Sequence, residues 1–239
     1  VIAGSFDSTF EERIKDIEPF RILKTHKIDD KKINFNHHTK IEFKNSTNKL
    51  KLNYQKTKQV VLIIGKPTIP YSNKDDLLLR LIGCHLGSGM SSLLFQLLRE
   101  KHGAAYEVGV YHPVRELNTP FLIHASTSEE KAFMTLNLLQ QCWQSVIEEP
   151  LKIEELKLSK AKFRGQIAHS SQSVGQKAER KAHLMGLKVD HNLDKKRLVQ
   201  INKISIEDIQ KAAIKHLQNP LLSICGPKQT CLKLKTINF

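Results

Sequence analysis

Eleven histidines make a metal site worth seeking. None stands in H-E-x-x-H or H-x-x-E-H, the spacings that put two imidazoles and a working carboxylate on one helical face. His37 and His38 are adjacent in a polar stretch, with no helix or strand to hold two ligands in register. No G-x-S-x-G nucleophile elbow occurs, and the four cysteines form no C-x-x-C pair. Gly87-Ser88-Gly89 offers small residues for a phosphate cradle. It follows a helical pattern rather than a strand and lacks the lysine of a P-loop, so it reads as a turn between helices.

Two other residues carry usable chemistry. Arg99 falls in the last turn of a leucine-rich helical pattern, where a cation is favoured by the helix dipole. Its planar guanidinium can fork two hydrogen bonds to carbonyl or carboxylate oxygens. Tyr106 opens the following strand pattern and can donate a phenol proton to a carbonyl that gains charge. The local pattern also allows quieter roles. Arg99 can pair with Glu100 or Glu107 on the surface, and Tyr106 shares parity with Val108 and Val110 as a core-edge tyrosine.

The elements around these residues follow from periodicity and capping. Short apolar runs predict about six strands, at 1–4, 41–43, 59–65, 105–112, 121–126 and 221–225. Residues 59–65 are nearly all apolar and suggest burial on both faces. Residues 113–120, with Pro113, Asn118 and Pro120, form a hairpin loop. Six or seven helices are expected. Ser8 with Glu11, Thr127 with Glu130 and Ser205 with Asp208 have the spacing of N-terminal caps, and Ser72 stands three residues before Asp75. Leu77, Leu78, Leu81 and Ile82 form one buried side, and Leu93, Leu94, Leu97 and Leu98 another. Phe133, Leu136, Leu139, Trp143 and Ile147 make a third stripe. Further helices cover 152–170, 173–187 and 192–202. Residues 20–38 show no strong period. Strands and helices come in blocks, which predicts an α+β fold: a mixed or antiparallel sheet of about six strands with helices on one face.

Composition narrows the class. The chain has 239 residues, of which 40 % are apolar and 26 % charged, as expected for one folded domain spanning 1–239. No run of eighteen or so apolar residues marks a membrane helix, and no signal peptide is visible. Residues 1–4 read like the interior of a strand, as if sequence continued upstream. Three of the cysteines lie in apolar patterns and read as core thiols. The net charge is +14, but the lysines are spread along the chain and aromatics are 6 %. That favours a solvated basic surface over a base-stacking platform, with an acidic partner or acidic substrates as the other reading.

One long segment is more specific. From Gly87 the chain reads Gly-Ser-Gly-Met-Ser-Ser-Leu-Leu-Phe-Gln-Leu-Leu-Arg-Glu-Lys-His-Gly-Ala-Ala-Tyr-Glu-Val-Gly-Val-Tyr. It resembles the second half of the pitrilysin/insulinase family of zinc peptidases: a small-residue turn, Met-Ser-Ser, a leucine-rich helix ending in Arg-Glu, then Gly and Tyr at the next strand. The opening strand with Asp7, the helix at 202–217 and the closing Gly226-Pro227 also resemble that half. Leu93 and His102 depart from the family's usual arginine or lysine at those places.

The resemblance implies a two-part clamshell. One half binds zinc through H-x-x-E-H, and the facing half supplies an Arg and a Tyr seven residues apart that hold the substrate backbone. Arg99 and Tyr106 have that spacing, and Gly87, Ser88 and Gly89 would line the chamber. This chain would then be a non-catalytic, substrate-gripping half of a metalloendopeptidase. It would carry no catalytic residue and no metal of its own, with zinc in the companion half. Its partners would be that half, in the same or another chain, an extended peptide, and a second subunit in a homo- or heterodimer. Rival readings are a degenerate structural subunit and, less favoured, a basic nucleic-acid-binding module.

Overall fold

The computed structural model describes residues 1–2, 4–18, 21 and 49–235. The predicted strand at 41–43, the loop at 20–38 apart from Arg21, and the His37-His38 pair lie outside them. The chain divides into two units, Ile2–Thr47 and a larger one from Asn48 onward. In the smaller unit, helix α1 (Phe10–Asp16) is preceded by a stack of Phe6 on Phe10, with ring centroids 4.1 Å apart. Thr9, not Ser8, is its cap residue. Asp7 rather than a capping box satisfies the entry, accepting from the Thr9 amide at 3.0 Å and from Arg13 at 2.6 Å. Val1, Ile2 and Gly4 are not in a strand, contrary to expectation, because no paired chain lies beside them among the described residues.

The larger unit is built on one five-stranded sheet: β1 (Leu50–Tyr54), β2 (Gln59–Pro67), β3 (Glu107–Tyr111), β4 (Pro120–Ser128) and β5 (Leu221–Gly226). The strand order is β1-β5-β2-β4-β3. β1 runs parallel to β5, and every other neighbour is antiparallel. One residue row crosses the whole sheet, from Leu52 through Ile224, Leu62 and Ala125 to Val108. Side chains alternate between the faces of a strand. Accordingly Val60, Leu62, Ile64, Phe121, Ile123, Leu222 and Ile224 are buried together, while Val61, Ile63, Leu122 and His124 are half-buried. β2 is therefore covered fully on one face only, not on both as its apolar run suggested.

The helices are α2 (Asp76–Gly87), the π-wound α3 (Phe95–Lys101), α4 (Ala132–Glu148), α5 (Ile153–His169), α6 (Val174–Gly186), α7 (Leu193–Gln200), α8 (Ile206–Leu217) and α9 (Lys228–Leu234), of which α2, α3, α4 and α9 pack on the sheet directly. The fold is α+β, as expected. The predicted cap of α8 is present, with Ser205 Oγ accepting from the Asp208 amide. The predicted cap at Thr127 is not. β4 continues to Ser128, and the Thr127 hydroxyl is buried and donates to the Ala104 carbonyl at 2.6 Å. Phe133 is 57 % exposed, because the core-facing side of α4 is carried by Leu136, Leu139, Cys142, Trp143 and Val146. Cys84, Cys142 and Cys231 are buried, as expected of core thiols. Burial raises the Cys84 thiol to about 11 and the Cys142 thiol to about 12, beyond the range of ready thiolate chemistry.

At the entry to α2 lies a charge cluster. Asp76 has no exposed surface, yet its carboxylate accepts from Arg80 Nε at 2.7 Å, Arg197 Nη2 at 2.8 Å and His112 Nε2 at 2.9 Å. Arg197 also donates to the Tyr71 carbonyl at 2.8 Å and lies 3.9 Å from the Tyr71 ring centroid. The Tyr71 hydroxyl donates to Asp194 at 3.0 Å, and Arg180 reaches both, at 2.6 Å to the hydroxyl and 2.7 Å to the carboxylate. Burial pushes the Asp76 carboxyl upward. The His112 hydrogen bond and the charges of Arg80 and Arg197 outweigh it, and the group sits below its ordinary value of 3.8. At its other end α2 meets β3 so closely that a Cβ on Gly87 would lie 2.6 Å from Val110 Cγ2 and 3.0 Å from the Val110 amide nitrogen.

Three outcomes follow for stability. Asp76→Asn leaves Arg197 and Arg80 buried without their counter-ion and costs about 3–5 kcal/mol in urea denaturation. Because the Asp76 carboxyl is depressed in the folded state, its contribution is complete above its ordinary pKa and is lost as pH falls through the lower folded value. The urea midpoint therefore drops as pH falls below the ordinary carboxylate range, more steeply in the wild type than in Asp76→Asn. Gly87→Ala forces α2 away from Val110 and costs about 1–3 kcal/mol, read as a lowered Tm with the helix content retained.

Candidate functional site

The segment from Gly87 to Tyr106 is held at several points along its length. Gly87 is pinned against Val110, and Gly89 takes a φ of +74°, which glycine adopts without steric cost. Ser88 is tied to α5: its hydroxyl accepts from Gln166 Nε2 at 3.0 Å. Gly87, Ser88 and Gly89 line a cavity of about 300 Å³ together with Arg80, His112 and Gln166. The small-residue turn is thus the rim of a recess that Arg80 and His112, two members of the charge cluster, also line, a neighbourhood the local sequence did not reveal.

Leu94 and Leu98 are fully buried and anchor α3, whereas Leu93 and Leu97 only brush the core. α3 closes on Gly103, at φ +52°. The Gly103 amide donates to the Arg99 carbonyl at 3.1 Å and the Ala104 amide to the Leu98 carbonyl at 2.6 Å. Each loop is one residue wider than in the usual glycine-terminated α-helix, as π winding requires. The Ala104 carbonyl then accepts from two buried hydroxyls, Thr127 at 2.6 Å and Thr135 at 2.8 Å. Lys131 Nζ holds the Gly103 carbonyl at 2.8 Å. The Tyr106 amide donates to Ser126 at 2.8 Å and starts the β3–β4 ladder. The link between Arg99 and Tyr106 therefore has little freedom.

Arg99 and Tyr106 stand at the two ends of this fixed link. Arg99 is exposed, and its guanidinium lies 4.8 Å from the Phe95 ring centroid. Among the described residues it makes no ion pair with Glu100, Glu107 or any other carboxylate. Tyr106 is 61 % exposed, and its hydroxyl has no hydrogen-bond partner among the described residues. It precedes β3 rather than sitting at the core edge with Val108 and Val110. Two donors, one charged and one neutral, are thus free for acceptor groups of a ligand. No three His, Cys, Asp or Glu side chains converge as metal ligands among the described residues. The described part of the chain does not hold a donor set fit for zinc.

Comparison with known proteins places this geometry in a family. Residues 14–163 match the model of the peptidase M16 inactive domain. A 125-residue stretch is 35 % identical to an uncharacterized zinc protease of Rickettsia felis, covering 51 % of this chain and 29 % of that protein. The chain thus matches less than a third of the length of that relative. In fold, it is similar to the crystal structure of a peptidase M16 inactive domain from Pseudomonas fluorescens, with a TM-score of 0.68 at 21 % identity over 75 % of this chain and 43 % of that one. It is also similar to a chain of complex III from Candida albicans, with a TM-score of 0.65 at 11 % identity over 77 % of this chain and 49 % of that one. The resemblance carried by residues 87–111 is borne out: this chain belongs to the family of the peptidase M16 inactive domain.

Proposed function

We propose that this chain is the substrate-gripping half of a zinc metalloendopeptidase. It closes over a companion half that carries H-x-x-E-H and the zinc. The observation that carries the reading is the pair of unspent donors, Arg99 and Tyr106, on a link held by buried hydroxyls. An extended peptide presents carbonyl oxygens along its backbone. A forked guanidinium and a phenol fixed relative to each other can hold it in one register against the scissile bond. The Tyr106 hydroxyl donates to a carbonyl whose charge grows in the transition state, and such a bond strengthens as the reaction proceeds. Gly87, Ser88 and Gly89 border a recess for a substrate side chain.

The companion half belongs to the same polypeptide or to a separate subunit, and the working enzyme is a homo- or heterodimer in which this half faces the zinc. The names of the relatives support zinc in the whole protein. In the assembled peptidase, Tyr106→Phe lowers kcat/KM for a short peptide by about 10²–10³, the typical loss for one transition-state donor, and Arg99→Ala lowers it by a similar factor. The urea midpoint stays unchanged in both, since neither side chain is buried. Unaltered turnover in both variants refutes the grip and leaves a structural role.

A further inference from the structure

A second cavity, of about 710 Å³, opens between α4 and the turn that joins α8 to β5. One wall is a row of carboxamides on α4: Asn137, Gln140, Gln141 and Gln144. They recur at helical spacing and so stand on one face. The other wall is Gln218 and Asn219. Lys49 is the single charged residue in the lining, and its ammonium lies 3.4 Å from the Asn219 side-chain oxygen. The four α4 carboxamides have no hydrogen-bond partner among the described residues.

The opposite wall is built rather than loose. Lys66 Nζ donates to the Gln218 carbonyl at 2.6 Å, and Trp143 Nε1 to the Leu217 carbonyl at 3.1 Å. Asn219 is held at φ +53°, a conformation that asparagine tolerates better than most residues. The groove thus presents neutral groups, each both donor and acceptor, against a fixed turn.

That chemistry selects the ligand. A carboxamide pairs with a peptide group through one N–H and one C=O, and carries no charge to attract an ion. The α4 row advances by about 5.4 Å per turn, while an extended strand repeats every two residues at about 6.6 Å. Flexible glutamine side chains absorb the difference, so successive carboxamides can meet alternate peptide groups of a strand. Sugars are less well served. The only aromatic residue in the lining is Trp143, which is 2 % exposed and offers no ring face for stacking. The position fits as well. α4 starts beside Gly103, through Lys131, and the carboxamide row begins about 9 Å further along its axis.

We infer that this groove is a second docking site for substrate, which binds the main chain of an extended, neutral or acidic peptide segment outside the grip of Arg99 and Tyr106. The inference rests on the proposed peptidase role. It makes long peptides better substrates than short ones, through KM.

The test uses the assembled peptidase and its variant Gln140→Ala/Gln141→Ala/Gln144→Ala, in which alanine keeps the helix strong. The probe is a fluorescein-labelled, end-capped sixteen-residue peptide of alternating serine and valine, followed by anisotropy with the enzyme's metal chelated. The variant binds about tenfold or more weakly, the loss expected for two or three hydrogen bonds. A probe N-methylated at alternate residues binds the wild type as weakly as the variant binds the parent peptide. With metal restored, the variant raises KM for the long peptide and leaves kcat/KM for a tetrapeptide unchanged. Equal probe affinity in wild type and variant overturns the inference, as does displacement of the probe by cellohexaose. If Arg99→Ala and Tyr106→Phe leave tetrapeptide cleavage intact, the grip fails on its own, and the anisotropy still reads the groove.

Discussion

A carboxylate buried without any exposed surface is costly unless its surroundings answer it fully, and Asp76 is answered three times, by Arg80, Arg197 and His112. Each partner arrives from a different part of the chain. Arg80 comes from the next turn of α2, His112 from the end of β3, and Arg197 from α7. Removing the acceptor would leave two guanidinium groups in the interior, so these segments cannot separate independently. Tyr71 adds a second anchor point, since its ring is flanked by Arg80, Arg180 and Arg197 and its hydroxyl joins Arg180 to Asp194. The cluster ties the outer helices α6 and α7 to the helix that packs on the sheet.

The candidate site inherits its rigidity from that tie. α2 begins at Asp76 and ends at Gly87, one helix length away, where it presses on Val110. His112 stands two residues beyond Val110 on the same chain, so both ends of α2 locate β3. β3 in turn pairs with β4, whose Thr127 hydroxyl holds Ala104 just before Tyr106. Position is thus passed from a buried ion cluster through a helix and a strand pair to an exposed phenol. Donors that act on a developing charge work only if little movement is needed at the moment of reaction, and a chain of buried contacts of this kind supplies that.

Periodicity and capping made much of this legible. The α8 cap at Ser205, the hairpin between β3 and β4 and the core thiols follow apolar periodicity and capping, which a local pattern can report. The misreadings share a cause. Thr127-x-x-Glu130 has the spacing of a cap, but Thr127 belongs to β4, where a bond to Ala104, distant in sequence, decides its conformation. β1, with Lys51, Asn53 and Tyr54, looks polar because it is an outer strand of the sheet, and only Leu50 and Leu52 lean on the core. The Asp76 cluster was invisible for the same reason: Arg197 and His112 mean nothing to Asp76 until the helices are packed. Arg99 and Tyr106 were singled out only through a long ordered resemblance, since neither residue is distinctive alone.

The contrast between the arginines carries the functional argument one step further. Arg80, Arg180 and Arg197 are each engaged with an aspartate, and their charge is consumed in holding the domain together. Arg99 is placed differently. It sits on a helix wound one residue wide, ends beside a glycine that only a left-handed turn accommodates, and stacks on Phe95 without a carboxylate. Stacking on a ring orients a guanidinium while leaving its N–H fork in the plane free. Between Arg99 and Tyr106 the chain passes through the Ala104 carbonyl, which two threonines hold from within the core.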